Sequence, residues 1–180
     1  AVDAHSMGVG EINGDGLDDI LVGHWTGEKA YALIQGEDGA FAKEEQDLYK
    51  EIINWPSETT RQNFNILRDA GLVDVNGDGY DDLIAGFGMG GSPTTIFIND
   101  NGKFTEDNYI KMPDSIYGVD VQMHLLTFPA DFDHDGDIDI AIQYTRPDPY
   151  YGGWYIQINL NDGEGNFTDV TNLIPENADQ

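Results

Sequence analysis

The sequence predicts an all-β protein assembled from three repeated units of four antiparallel strands. Three observations carry this. An acidic nine-residue loop occurs three times, as EINGDGLDD at 11–19, DVNGDGYDD at 74–82 and DFDHDGDID at 131–139. A turn closed by glycine, one residue and phenylalanine follows each loop, and Phe41, Phe104 and Phe167 fall 63 residues apart at each step. Between these markers lie short apolar runs rich in branched residues, the length and composition of strands. An element that recurs at about this period marks a solenoid or a propeller, because one small sheet cannot bury both of its faces alone and must stack on neighbours.

The elements follow in the same order in each unit. A first strand is expected at 6–12, 70–75 and 125–132, running into the loop. A second follows it, with Ile20, Leu21 and Val22, then Leu83, Ile84 and Ala85, then Ile138, Ile140 and Ile142. The third is AYALIQ at 30–35, TTIFIN at 94–99 and WYIQINL at 154–160. Turns written GEDG, NDNG and NDGEG suit hairpins, since glycine and asparagine tolerate positive φ. The fourth strand starts at Phe41, Phe104 and Phe167. The units span about 5–50, 65–112 and 120–175 of a single domain, 1–180. The third carries six extra residues between its loop and its last hairpin. The segment 43–53 reads equally as a short surface helix or as an outer strand, and Trp55-Pro56 ends it, because the residue before proline avoids helical geometry.

Composition narrows the function. The chain of 180 residues has 34 acids against 8 bases, a net charge of −26, and no cysteine. Thirteen of the acids lie inside the three loops. Even three bound divalent ions leave a strongly acidic surface, which argues against nucleic acid or an anionic membrane as partner. No stretch is apolar enough for a transmembrane helix. Without disulfides, metal clips are the expected staples. The opening AVDAH lacks a starting methionine, which reads as a mature or trimmed product.

The loop chemistry points to Ca²⁺. Calcium takes six to eight hard oxygens, and loop positions 1, 3, 5 and 9 supply side chains while position 7 supplies a carbonyl. The expected ligands are Glu11, Asn13, Asp15, the Leu17 carbonyl and Asp19 in the first loop. They are Asp74, Asn76, Asp78, the Tyr80 carbonyl and Asp82 in the second, and Asp131, Asp133, Asp135, the Asp137 carbonyl and Asp139 in the third. About three Ca²⁺ ions are expected. The third loop should bind tightest, with four acids among its ligands, and the first weakest, because Glu11 must fit one more methylene. Gly16, Gly79 and Gly136 allow the sharp turn. An EF-hand shares the first nine positions but needs a bidentate Glu at position 12 and a following helix. Here position 12 is Val22, Ala85 or Ile142. The bland alternative is three acidic surface turns with no ion.

These motifs resemble the FG-GAP/VCBS repeat family, the calcium-loop blades of integrin α-subunit propellers and many secreted bacterial proteins. The signature D-x-N-G-D-G-x-x-D-[LI] stands whole at 74–83. It carries Glu for the first Asp at 11–20, and His134 and Asp133 depart from it in the third loop. The hairpin N-D-G-x-G-x-F stands at 161–167. The resemblance implies β-propeller-type blades of four antiparallel strands, with three blades present, and hence a partial or open propeller. The uncovered end faces then call for further blades or another copy of the chain.

The leading function is a calcium-binding, non-catalytic module for extracellular or cell-surface binding or scaffolding, from a secreted bacterial protein, with a protein or carbohydrate ligand. The alternative is part of a larger secreted enzyme acting on polysaccharide. His5, His24, His124 and His134 show no ligand-like spacing, and no catalytic residue is assigned. The six-residue insertion within 145–155 places Arg146, Tyr150, Tyr151 and Trp154 in or beside one loop. These are the candidate ligand-binding residues, read against the simpler possibility that Trp154 only starts a strand.

Overall fold

The computed structural model describes residues 4–24, 31–44, 67–87, 93–146, 148–149 and 151–173. Twelve strands are found among them. The first sheet contains β1 (Ala4–Gly10), β2 (Asp19–His24), β3 (Tyr31–Gln35) and β4 (Phe41–Glu44). The second contains β5 (Leu67–Val73), β6 (Asp82–Phe87), β7 (Thr95–Asn99) and β8 (Phe104–Lys111), and the third β9 (Met123–Ala130), β10 (Asp139–Thr145), β11 (Tyr155–Asn161) and β12 (Phe167–Asp169). Every neighbouring pair is antiparallel and sequential. Each acidic loop joins the first and second strands of its sheet, and each Gly-x-Phe turn opens the fourth. The segment expected at 43–53 lies, beyond Glu44, outside the described residues, as do Trp25 and Trp55.

The expected propeller is corrected. Among the described residues there are three separate four-stranded sheets, and none of them closes on itself or curls into a propeller blade. The sheets pack instead face to face in chain order, chiefly through their first strands, β1 on β5 and β5 on β9. The repeat period dictates the unit, whereas the arrangement of units follows from side chains at their junctions, which the period does not contain.

Strand alternation sorts side chains between those junctions. One core cluster joins the first two sheets, with Leu21 and Ala32 against Leu72, Leu83, Ala85 and Phe97. Another joins the second and third, with Ile84, Ile96 and Met112 against Ile140, Ile142 and Tyr144. The middle sheet is therefore buried on both faces, and β6 is buried along its whole length. Glycine sets the spacing of the first junction. A Cβ on Gly8 would stand 2.2 Å from the Ala70 carbonyl oxygen, so only glycine lets β1 lie this close to β5.

Candidate functional site

The three acidic loops share one hydrogen-bond plan. The acid at the first position turns inward and accepts backbone N–H groups from the turn it starts. Glu11 accepts from Gly14 at 2.6 Å and from Gly16, Asp74 from Gly77 at 2.7 Å and Gly79 at 2.9 Å, and Asp131 from His134 at 2.7 Å and Gly136 at 3.2 Å. The residues at positions 3 and 5 each accept from the amide two residues on, as Asp78 does from Tyr80 at 2.9 Å. The turn demands left-handed backbone twice. Gly16, Gly79 and Gly136 sit at φ of 82°, 90° and 102°, and His134 holds 66° where the other loops carry glycine.

The acid at the ninth position does something the loop spacing alone did not reveal. Asp19, Asp82 and Asp139 are fully buried. Each fastens its loop to the end of the third strand. Asp82 accepts from Val75 N at 3.0 Å and Asn99 N at 2.8 Å, and Asp139 from Phe132 N at 2.7 Å and Asn161 N at 2.8 Å. Asp19 does the same with Ile12 and Gln35. Burial pushes the Asp82 carboxyl up to about 7, against the pull of its two amide donors, and raises Asp19 as well. Asn99 and Asn161 then tie neighbouring units. Their Nδ2 groups donate to the Ile12 carbonyl at 2.9 Å and the Val75 carbonyl at 2.8 Å of the preceding loop. An amide residue ends the third strand in all three units, and that repeated Gln35, Asn99 and Asn161 was the available signal.

The structure brings together three acids as a candidate cation site. Asp131, Asp133 and Asp139 each offer a ligand atom, and these atoms lie within 4.8 Å of one another. Desolvation and then the neighbouring Asp135 charge hold Asp133 above the usual carboxylate range. The first and second loops, with asparagine at position 3, form no such cluster of three acids among the described residues. Of the three expected calcium sites, the third loop thus presents an acidic cluster that could hold a metal ion. A hard, all-oxygen donor set fits calcium or magnesium and not a soft transition metal.

The residues expected to bind a ligand lie at the other end of β10. Arg146 donates from Nε to the Gly152 carbonyl at 2.7 Å, and its guanidinium lies 5.2 Å from the centre of the Tyr117 ring. Tyr151 meets Arg68, through a hydrogen bond to its hydroxyl and a guanidinium 5.5 Å from its ring centre. Trp154 is 52% exposed. Tyr150 lies outside the described residues. Arg68 and Tyr117 were not anticipated, because one lies on β5 and the other in the connection from β8 to β9, and only folding brings them to this loop.

A buried polar chain crosses the second junction. His124 contacts Thr94 Oγ1 through Nδ1 at 2.9 Å and Asp69 through Nε2 at 3.1 Å, and Thr94 Oγ1 lies 2.9 Å from the Tyr144 hydroxyl. Burial holds the Tyr144 phenol far above its usual value. With Thr94, His124 and Tyr144 all buried, this chain fastens two sheets. A Cβ on Gly86 would strike the His124 ring at 2.3 Å.

Comparison with known proteins fits this picture. Residues 74–142 match the model of the FG-GAP-like repeat, from the second acidic loop to β10. No curated protein matches the chain. Among solved structures it is similar to a lectin of Agrocybe aegerita described as specifically recognising non-reducing terminal N-acetylglucosamine. The TM-score is 0.52 at 19% identity, covering 90% of this chain and 36% of the lectin chain. The likeness is one of fold, and this chain spans about a third of that structure. The chain thus carries a short FG-GAP-like repeat region within a wholly antiparallel, three-sheet fold.

Proposed function

We propose that this chain is a non-catalytic, extracellular binding or scaffolding module, stabilised by a divalent cation and directed at carbohydrate. The observation that carries the reading is the convergence of Asp131, Asp133 and Asp139 oxygens within 4.8 Å at the start of a core strand. Calcium suits this loop better than magnesium, because it tolerates irregular oxygen shells that water completes, and modest ligand counts suit the millimolar calcium found outside cells. The ion would be held by these three acids, and it would bind the folded chain only, since the unfolded chain has no such cluster. Carbohydrate as ligand is supported by the lectin likeness and by the exposed Trp154 beside a loop where arginines contact tyrosine rings.

Melting after EDTA treatment, and again in millimolar calcium, tests the metal half. A cation present at 100 times its Kd adds about 2.7 kcal/mol, so the midpoint should rise by several degrees in calcium and not in Asp133→Asn. Equal midpoints in EDTA and calcium would remove it. A glycan array tests the ligand half, and an array blank for every sugar would overturn it.

A further inference from the structure

We infer that the loop between β10 and β11 forms a binding site for the carboxylate of an acidic sugar, with Arg68 and Arg146 as its anion-recognising groups. The inference rests on the carbohydrate reading and adds the charge class of the sugar. Its starting point is an imbalance. Acids outnumber bases 34 to 8 in this chain, so a basic side chain should find a carboxylate easily. Among the described residues, Lys111 has Asp114 at 3.5 Å and His124 has Asp69 at 3.1 Å, but neither Arg68 nor Arg146 is ion-paired. Each is held against a tyrosine ring instead, and consecutive residues of one loop, Tyr151 and Gly152, hold the two.

The donor inventory shows what remains. A guanidinium carries five N–H donors in a planar fork. Arg146 commits Nε to the Gly152 carbonyl, and Arg68 commits one terminal nitrogen to the Tyr151 hydroxyl. These contacts hold each guanidinium in place while leaving terminal donors for a bidentate carboxylate. The loop is pinned as well. Thr145 Oγ1 donates to the Gly153 carbonyl at 2.6 Å, and Gly152 N donates to the Arg146 carbonyl at 3.2 Å. A Cβ on Gly152 would stand 2.6 Å from the Pro149 carbonyl oxygen, so the tight path needs glycine. Preorganised groups of this kind lose little entropy on binding. Trp154, two residues after Gly152, is exposed, and a ring of this kind suits the apolar face of a sugar, which an acidic peptide would not use.

The net charge of −26 opposes anions at long range. At physiological salt, however, charges beyond about 8 Å are largely screened. Among the described residues, Asp114 sits with Lys111 and Asp69 with His124, and exposed Asp148 lies on the loop itself. The acidic cluster is at the far end of the seven-residue β10, about 20 Å away at strand rise. The two sites are therefore separable.

Calorimetry of the full chain with tetragalacturonate, in EDTA so that no cation bridges the sugar to the acidic loops, tests the inference. The fully methyl-esterified tetramer is the neutral twin of the same skeleton. The acid should bind at least tenfold tighter than the ester and weaken as salt rises. Arg68→Gln and Arg146→Gln should each cost the acid at least tenfold and the ester far less, and Asp148→Asn should tighten the acid. Should Arg146→Gln disturb the loop, as circular dichroism and melting would report, Arg68→Gln carries the test. Equal binding of acid and ester, or indifference to both arginine variants, overturns the acidic-sugar assignment and leaves the carbohydrate reading standing. So does binding confined to neutral glycans on the array. Tetraglutamate bound as tightly as the uronate also overturns it, and failure of every sugar overturns both.

Discussion

At the scale of single residues, the ninth-position aspartates decide how the loops behave. Asp82 is buried with its negative charge facing Asp74 and Asp78, and two amide hydrogen bonds do not offset that cost. Its folded-state value near 7 lies above the unfolded value near 4. A raised value means that the folded state prefers the protonated acid. Its contribution to stability is therefore complete below about pH 4 and is lost as pH rises through about 7, a change on the order of 4 kcal/mol. In EDTA, carbon-detected titration of the Asp82 carboxyl should give a midpoint near 7, and a midpoint below 5 would contradict the burial argument. The third loop separates two roles. Asp139→Ala strips the acceptor from the Phe132 and Asn161 amides at 2.7 and 2.8 Å, and an orphaned buried donor costs about 1–3 kcal/mol. It should lower the melting midpoint even in EDTA. Exposed Asp133 should cost nothing in EDTA when replaced by Asn, and should cost only the calcium-dependent gain. If both variants melt like the parent in EDTA, the fastening role of Asp139 is wrong.

At the scale of elements, the first strands carry the junctions, and their glycines act by absence. Gly8→Ala would drive a methyl group into the Ala70 carbonyl at 2.2 Å, where the obstacle is backbone and cannot rotate away. Overpacking of that kind costs roughly 1–3 kcal/mol. Gly16→Ala differs in kind: nothing stands within 4 Å of its Cβ, so its cost comes only from the φ of 82° and should be about 1–2 kcal/mol. Urea melts of the two variants check the order, and a parent-like midpoint for Gly8→Ala would mean the first junction is looser than the structure shows. Strands of this kind were legible in the sequence, because branched alternation, Asn-Gly turns and a repeated Phe all act locally. The starts of β4, β8 and β12 fall on Phe41, Phe104 and Phe167 as expected. The Arg68–Tyr151 and Arg146–Tyr117 contacts were not legible, since they join residues 83 and 29 positions apart through packing that no local pattern encodes.

At the scale of the whole molecule, stacking three sheets makes two junctions and leaves two outer faces. The unit repeat was legible and the arrangement was not, because closure depends on junction geometry and not on period. The registers show what the outer face of the third sheet can accept. Gly8 pairs with Leu21, Gly71 with Ile84 and Phe128 with Ala141, at the same step of each sheet. Where the inner junctions have glycine, the outer face presents a phenylalanine that is 51% exposed, beside Leu126 at 48% and Ile156 at 49%. A further sheet could not approach there as closely as β5 approaches β1. Exposed apolar patches commonly mark interfaces, and the opposite end also exposes Met7 and Val9. Sedimentation should therefore show association that grows with concentration. It should strengthen as salt screens the −26 charge, the opposite salt dependence to uronate binding. Phe128→Ser should shift the chain to monomer without lowering its melting midpoint, because the ring is half in solvent already. A parent chain that stays monomeric at high concentration and high salt would show that this face is left to water.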